Sequence, residues 1–231
     1  MSESDPNRQG ATAYHEAGHA VVGFHLGRGL VRINIVESDD RVGLTRWRPR
    51  AKWFWEALEV GADNHDYNRL RRAVEVDVMI SWAGTLAEER FRRGRTGDTD
   101  PGFGVFELPE PERLSDGSEA THTVSRHSDA DHILHLIESV SGSEEEATAY
   151  GEWLRLRTHG LLANPMIWAR VQILAEAILE RQSITGPDVA QLLTGESYSR
   201  RLHAMLDLPS DYHEVTAPDA PGDPRTHSWA W

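Results

Sequence analysis

Two histidines four residues apart, His15 and His19, stand in a run that is otherwise small and apolar, Ala13-Tyr14-His15-Glu16-Ala17-Gly18-His19-Ala20-Val21-Val22. Tyr14, Ala17, Val21 and Phe24 recur at helical spacing, so the run reads as a helix over Ala11 to Leu26, with Thr12 as a candidate cap and Gly27 and Gly29 ending it. On a helix, residues four apart lie one turn above another on the same face. Both imidazoles can therefore reach one metal ion from a single rigid rod, the H-E-x-x-H arrangement of zinc sites. Glu16 points about 100° away around the helix, where it can act on a water without binding the metal itself. The apolar flanks bury this face, and a buried histidine pair beside a carboxylate needs a partner. Gly18 costs a helix about 1 kcal/mol relative to Ala, which implies that something approaches it closely.

The 231 residues contain no cysteine, so any metal must sit on His, Asp or Glu, and thiolate chemistry is excluded. The net charge of −13, from 37 acidic against 24 basic residues, opposes binding to nucleic acids and anionic membranes. A local exception, Arg46, Arg48, Arg50 and Lys52 around Trp47, has the pattern of a nucleic-acid-binding run, but a solvated strand edge with one intercalated aromatic explains it as well. The acidic start argues against a secretory signal, and no apolar run approaches membrane-spanning length. The expectation is a cytoplasmic protein that partners neither nucleic acid nor membrane.

Val31, Ile33 and Ile35 alternate with polar residues, Ser38-Asp39-Asp40 supplies a turn, and Val42, Leu44 and Thr45 begin a second extended run, which together predict a hairpin. Lys52 to Asn68 shows no clear period and stays unassigned. Helices are expected from Leu70 to Arg92, from Ser128 as N-cap, from Glu144 to Arg157, and from Asn164-Pro165 through Ile178. Thr185 to Asp188 has capping-box spacing and announces a last short helix over Val189 to Leu193. The second half is thus expected to be all-helical. The resulting fold is α+β and mostly α: a zinc-site helix with a small hairpin or sheet, followed by a C-terminal helical bundle. Residues 1–10 are expected to be a flexible N-terminus, 11–208 the domain with a long loop at 94–125, and 209–231 a disordered tail.

The segment Ala13 to Val22 resembles the zinc-site helix of the FtsH-type peptidase domain, the proteolytic half of the membrane-anchored AAA proteases. The hairpin through Gly43-Leu44-Thr45, the Ala83-Gly84 and Ala87-Glu88-Glu89 run, and Leu174 to Glu180 followed by Ile184-Thr185-Gly186 resemble later segments of that family in the same order. The likeness covers about Ala11 to Leu193. Two departures stand out: Thr85 occupies a position where the family usually has Arg, and no Gly-x-x-x-x-Gly-Lys-Ser/Thr phosphate loop occurs. The resemblance implies a zinc-dependent endopeptidase acting on peptides or unfolded proteins, ATP-independent as an isolated chain, and it allows a homo-oligomer. The rival reading is a non-catalytic zinc-containing adaptor that partners a separate ATPase.

Catalytic zinc usually has three protein ligands. In the resembling family the third is an Asp opening a helix. Thr96-Gly97-Asp98-Thr99-Asp100 matches the family's loop letters, whereas Ser128-Asp129 matches the helix start, and Pro101-Gly102 opposes a helix at Asp100. The assignment is therefore metal on His15, His19 and Asp129, with Glu16 as general base, and with Asp131 and Asp100 as alternatives for the third ligand. Glu88 is either a partner that orients a ligating histidine or a solvated helix carboxylate. His127, His132 and His135 around Asp129 are candidates for a second metal cluster, although His132 and His135, three apart, read more simply as exposed helix residues; His25 reads as structural, and Glu144 to Glu146 as the acidic first turn of a helix.

Overall fold

The computed structural model describes residues 6–35, 43–61, 66–96, 129–195, 201 and 205–206. Helix α1 spans Pro6–His25, starting five residues ahead of the expected Ala11. Thr12 is not its cap, because its hydroxyl lies inside the helix and donates to the Arg8 carbonyl. The helix ends as the sequence predicts: Gly27 takes φ +76°, Arg28 N–H bonds back to Gly23 O and Gly27 N–H to Phe24 O. That pair is the Schellman closure, for which glycine has no steric penalty.

Two strands follow, β1 at Leu30–Asn34 and β2 at Leu44–Trp47, paired antiparallel with Ile33 opposite Thr45. The turn residues 38–40 lie outside the described residues. A third strand, β3 at Ser183–Thr185, pairs antiparallel with the other edge of β1, so the sheet order is β2-β1-β3. This corrects the expectation of an all-helical second half. Three residues are too few to show an alternating pattern, and only Ile184, buried opposite Ile33, gives them a core face.

Helix α2 spans Lys52–Val60, within the segment left unassigned. Its consecutive aromatics have three different surroundings, which is why no period was readable. Phe54 is fully buried, Trp53 packs beneath the Arg69 guanidinium, and Trp55 is exposed. Helix α3 runs Tyr67–Thr96 and crosses α1 at a seam of small residues. A β-carbon added at Gly18 would lie 2.4 Å from Ala83 O and 2.7 Å from Ala87 Cβ. Only glycine permits this approach, and it accounts for the helix-weakening residue seen at position 18. Asp77 of α3 pins the chain on both sides of the hairpin, pairing with Arg28 at 3.1 Å and Arg50 at 2.6 Å.

The remaining helices are α4 at Asp129–Glu138, α5 at Glu144–Ala163, α6 at Pro165–Arg181 and α7 at Gly186–Thr194. The caps at Asn164 and Thr185 are those expected, Ser143 is one that the sequence reading did not assign, and the expected cap Ser128 lies outside the described residues. Ser143 Oγ accepts from Glu146 N, Asn164 Oδ1 accepts from Met166 N ahead of Pro165, and Thr185 Oγ1 donates to Asp188 Oδ2. Ile133, Leu136 and Ile137 turn the apolar face of α4 into the common core, which fixes the helix that begins with Asp129. The architecture is α+β and mostly α, as the sequence predicts. Among the described residues no helix is long and apolar enough to cross a membrane.

Candidate metal centre

The crossing of α1 and α3 aims His15 and His19 at the first residue of α4. His15 Nε2 lies 3.0 Å from Asp129 Oδ2, and His19 Nε2 lies 3.2 Å from the same oxygen. Two ligand atoms about 2.05 Å from a tetrahedral zinc stand about 3.3 Å apart, so these separations are already close to those of a zinc shell. The three side chains, with donor atoms within 4.8 Å of one another, form a group able to hold a metal ion.

The far side of each ring is held. His19 Nδ1 is 2.7 Å from the Ile80 carbonyl, and since a carbonyl can only accept, that nitrogen carries the proton. His15 Nδ1 lies 3.0 Å from Glu88 Oε2, so the same orientation applies there. In each neutral ring this leaves the Nε2 lone pair facing the common point, the arrangement that ligating histidines require. Glu88 is therefore placed as an orienting partner, with its other oxygen bound by Arg92 at 2.6 Å.

Gly84 lines the cleft between the rings. A β-carbon there would stand 2.5 Å from His19 Nε2 and 2.8 Å from His15 Nε2. A helical side chain covers the turn preceding its own Cα, so glycine at 84 also leaves the Ile80 carbonyl open to His19. The residues thus fit a metal: two imidazole nitrogens and one carboxylate oxygen converge, and glycine at 84 leaves both rings the room to do so. His19 is buried at the back, whereas the Asp129 side chain is 35% exposed.

The electrostatics of the metal-free cluster follow from the same contacts. Burial opposes charge on His19, but the Asp129 carboxylate, its hydrogen bond, Glu16 and the Ile80 carbonyl outweigh it and lift the imidazole to about 9. Burial would raise Asp129, yet the two imidazoles hold it well below the usual carboxylate range. The two shifts make His19 the cationic and Asp129 the anionic partner of an ion pair at 3.2 Å.

Glu16 is 5% exposed and stands apart from the converging atoms. Thr45 Oγ1 of β2 donates to Glu16 Oε2 at 2.5 Å, and the Gly43 backbone passes so close to Oε1 that an added β-carbon would lie 2.4 Å away. Asp131 is exposed and outside the cluster, as its position about 200° further round the helix demands. Asp100 and His127 lie outside the described residues. His132 and His135 do not join the cluster, and His25 is exposed. The anchoring roles of Gly84, Gly43, Thr45 and the Ile80 carbonyl were not assigned from sequence. An interior helical glycine was the one usable signal, since a backbone carbonyl leaves no trace in residue identity. No family model matches the chain, and a search of curated proteins finds no match.

Proposed function

We propose that the chain is a zinc-dependent endopeptidase of the FtsH type that cleaves extended peptides or unfolded protein. The observation that supports this best is the convergence of His15 Nε2, His19 Nε2 and Asp129 Oδ2 beside a buried carboxylate outside the ligand set. Bound by those three atoms, zinc would supply Lewis acidity, acidifying water and polarising a carbonyl. Glu16 takes the proton of the attacking water and returns it to the leaving amine. Because Thr45 occupies Oε2, Oε1 is the oxygen left for that proton. Glu88 and the Ile80 carbonyl keep both rings in the Nδ1–H form throughout.

Substrate form follows from the sheet. Among the described residues no strand pairs with the outer edge of β2, and Thr45 of that strand holds Glu16. A peptide pairing with this edge lies alongside the general base, which requires an extended backbone. The test is hydrolysis of casein by the purified chain. Activity abolished by a chelator and restored by zinc is the expected result; metal binding without turnover would assign the cluster a structural role instead.

A further inference from the structure

The basic run at β2 divides in two once its partners are known. Trp47 is half-buried, with the edge of its ring against Gly23 and the Arg28 guanidinium over the ring, and Arg50 is taken up by Asp77. Lys52 pairs with Glu56. Arg46 is left exposed on the outer face of the sheet, directly opposite the equally exposed Arg32 of β1. Arg48, also exposed, continues the same face beyond β2. Like charges directly opposed across antiparallel strands destabilise the pair. Among the described residues neither Arg32 nor Arg46 has an ion-pair partner, in a chain whose net charge is −13. Acidic side chains are plentiful, yet none of the described ones answers this pair.

We infer that Arg46, with Arg32 behind it, selects acidic side chains in an extended substrate peptide added to the free edge of β2. The inference rests on the peptidase reading. Thr45 faces the core and holds Glu16, so the peptide residue beside Thr45 is the one nearest the general base. Side chains alternate along a strand, so a neighbouring peptide residue projects on the outer face beside Arg46. An Asp or Glu there meets Arg46 at cross-strand distance, with Arg32 one strand further on.

The test uses zinc-loaded Glu16→Gln protein and short fluorescent peptides that differ only in Glu, Gln or Lys at one position, with binding followed by anisotropy. The Glu peptide is expected to bind about fivefold tighter than the Gln peptide, an advantage that shrinks as salt is added. The Lys peptide is expected to bind weakest, although the overall charge of the protein favours the opposite order. Adding Arg46→Glu should reverse the order, and Arg32→Glu should flatten it. A Lys peptide that binds tightest to the parent protein, an order unchanged by Arg46→Glu, or no peptide binding at all would overturn the inference. A single-stranded oligonucleotide that binds more tightly than the Glu peptide would also overturn it and assign the face to nucleic acid. Cleavage of the Gln peptide by the unsubstituted zinc-loaded chain is measured alongside. Its absence counts against the peptidase reading, whereas cleavage with the wrong charge order counts only against the selection by Arg46.

Discussion

Gly84→Ala separates the metal site from the helix that carries it. Alanine is about 1 kcal/mol more favourable than glycine within a helix, so propensity alone makes the variant more stable. The added methyl, however, would lie 2.5 Å from His19 Nε2 and 2.8 Å from His15 Nε2. Ordinary contact begins at 3.4 Å, so the two nitrogens must retreat by about 0.9 Å and about 0.6 Å, or the helices must part. Overpacking of this kind costs about 1–3 kcal/mol, which leaves the metal-free variant within about 2 kcal/mol of the parent. Zinc is far less tolerant, since its bond lengths hold to about 0.2 Å. Loss of a single orienting partner already weakens metal binding about 10–100-fold, and here both ligand nitrogens move. The expected result is zinc affinity at least about a hundredfold weaker, by competition with a chromophoric chelator, with the metal-free protein still folded by circular dichroism. Unchanged zinc affinity would refute the placement of the metal between these rings.

Asp129→Ala should abolish stoichiometric zinc binding while Asp131→Ala and Asp100→Ala keep it, as read by metal analysis after gel filtration; loss in either of the latter would move the third ligand. Thr45→Val should lower kcat by about tenfold with zinc content unchanged, and Thr45→Ser should restore most of it, because only the hydroxyl holds Glu16 Oε2. In metal-free protein the His19 value is raised from 6.5 to about 9, so zinc must displace a proton at neutral pH. Zinc affinity should therefore climb about tenfold per pH unit up to about pH 9 and then level off, and calorimetry in buffers of different ionisation enthalpy should show proton release. By the same sign, metal-free protein loses the stability contributed by protonated His19 as the pH rises from about 6.5 through about 9, which a series of thermal melts would detect.

The parts of the fold that were readable in the sequence are those where one residue type answers a local need. Gly27 closes α1 with positive φ, Asn164-Pro165 opens α6, and Thr185 with Asp188 opens α7. His15 and His19 were visible because helical spacing alone puts both on one face. Asp129 could be preferred because Ser128-Asp129 matches the helix start that the resemblance implies, and since positions two apart on a helix cannot face the same point, choosing Asp129 excludes Asp131. The features not legible in the sequence depend on tertiary contact. Strand β3 exists because β1 offers it an edge, and α2 is held by the single buried anchor Phe54 rather than by a repeating stripe. Arg50 and Trp47 looked like parts of a surface patch until Asp77 and Gly23 accounted for them. The early start of α1 has a similar origin. A β-carbon on Gly10 would press against the Phe91 ring, and that ring stacks on Tyr14, so the first turns are held by α3 rather than by a capping residue.

The most direct test of the account is the rate at which zinc-loaded Glu16→Gln cleaves an unfolded protein, measured with the zinc content of the same sample. Glutamine keeps the shape and can still accept from Thr45 but cannot take the proton, and Glu16 is not among the converging ligand atoms. The account predicts about one zinc per chain and a rate at least about a hundredfold below that of the parent. A variant that keeps its zinc and cleaves as fast as the parent, or that loses its zinc, would contradict the role assigned to Glu16.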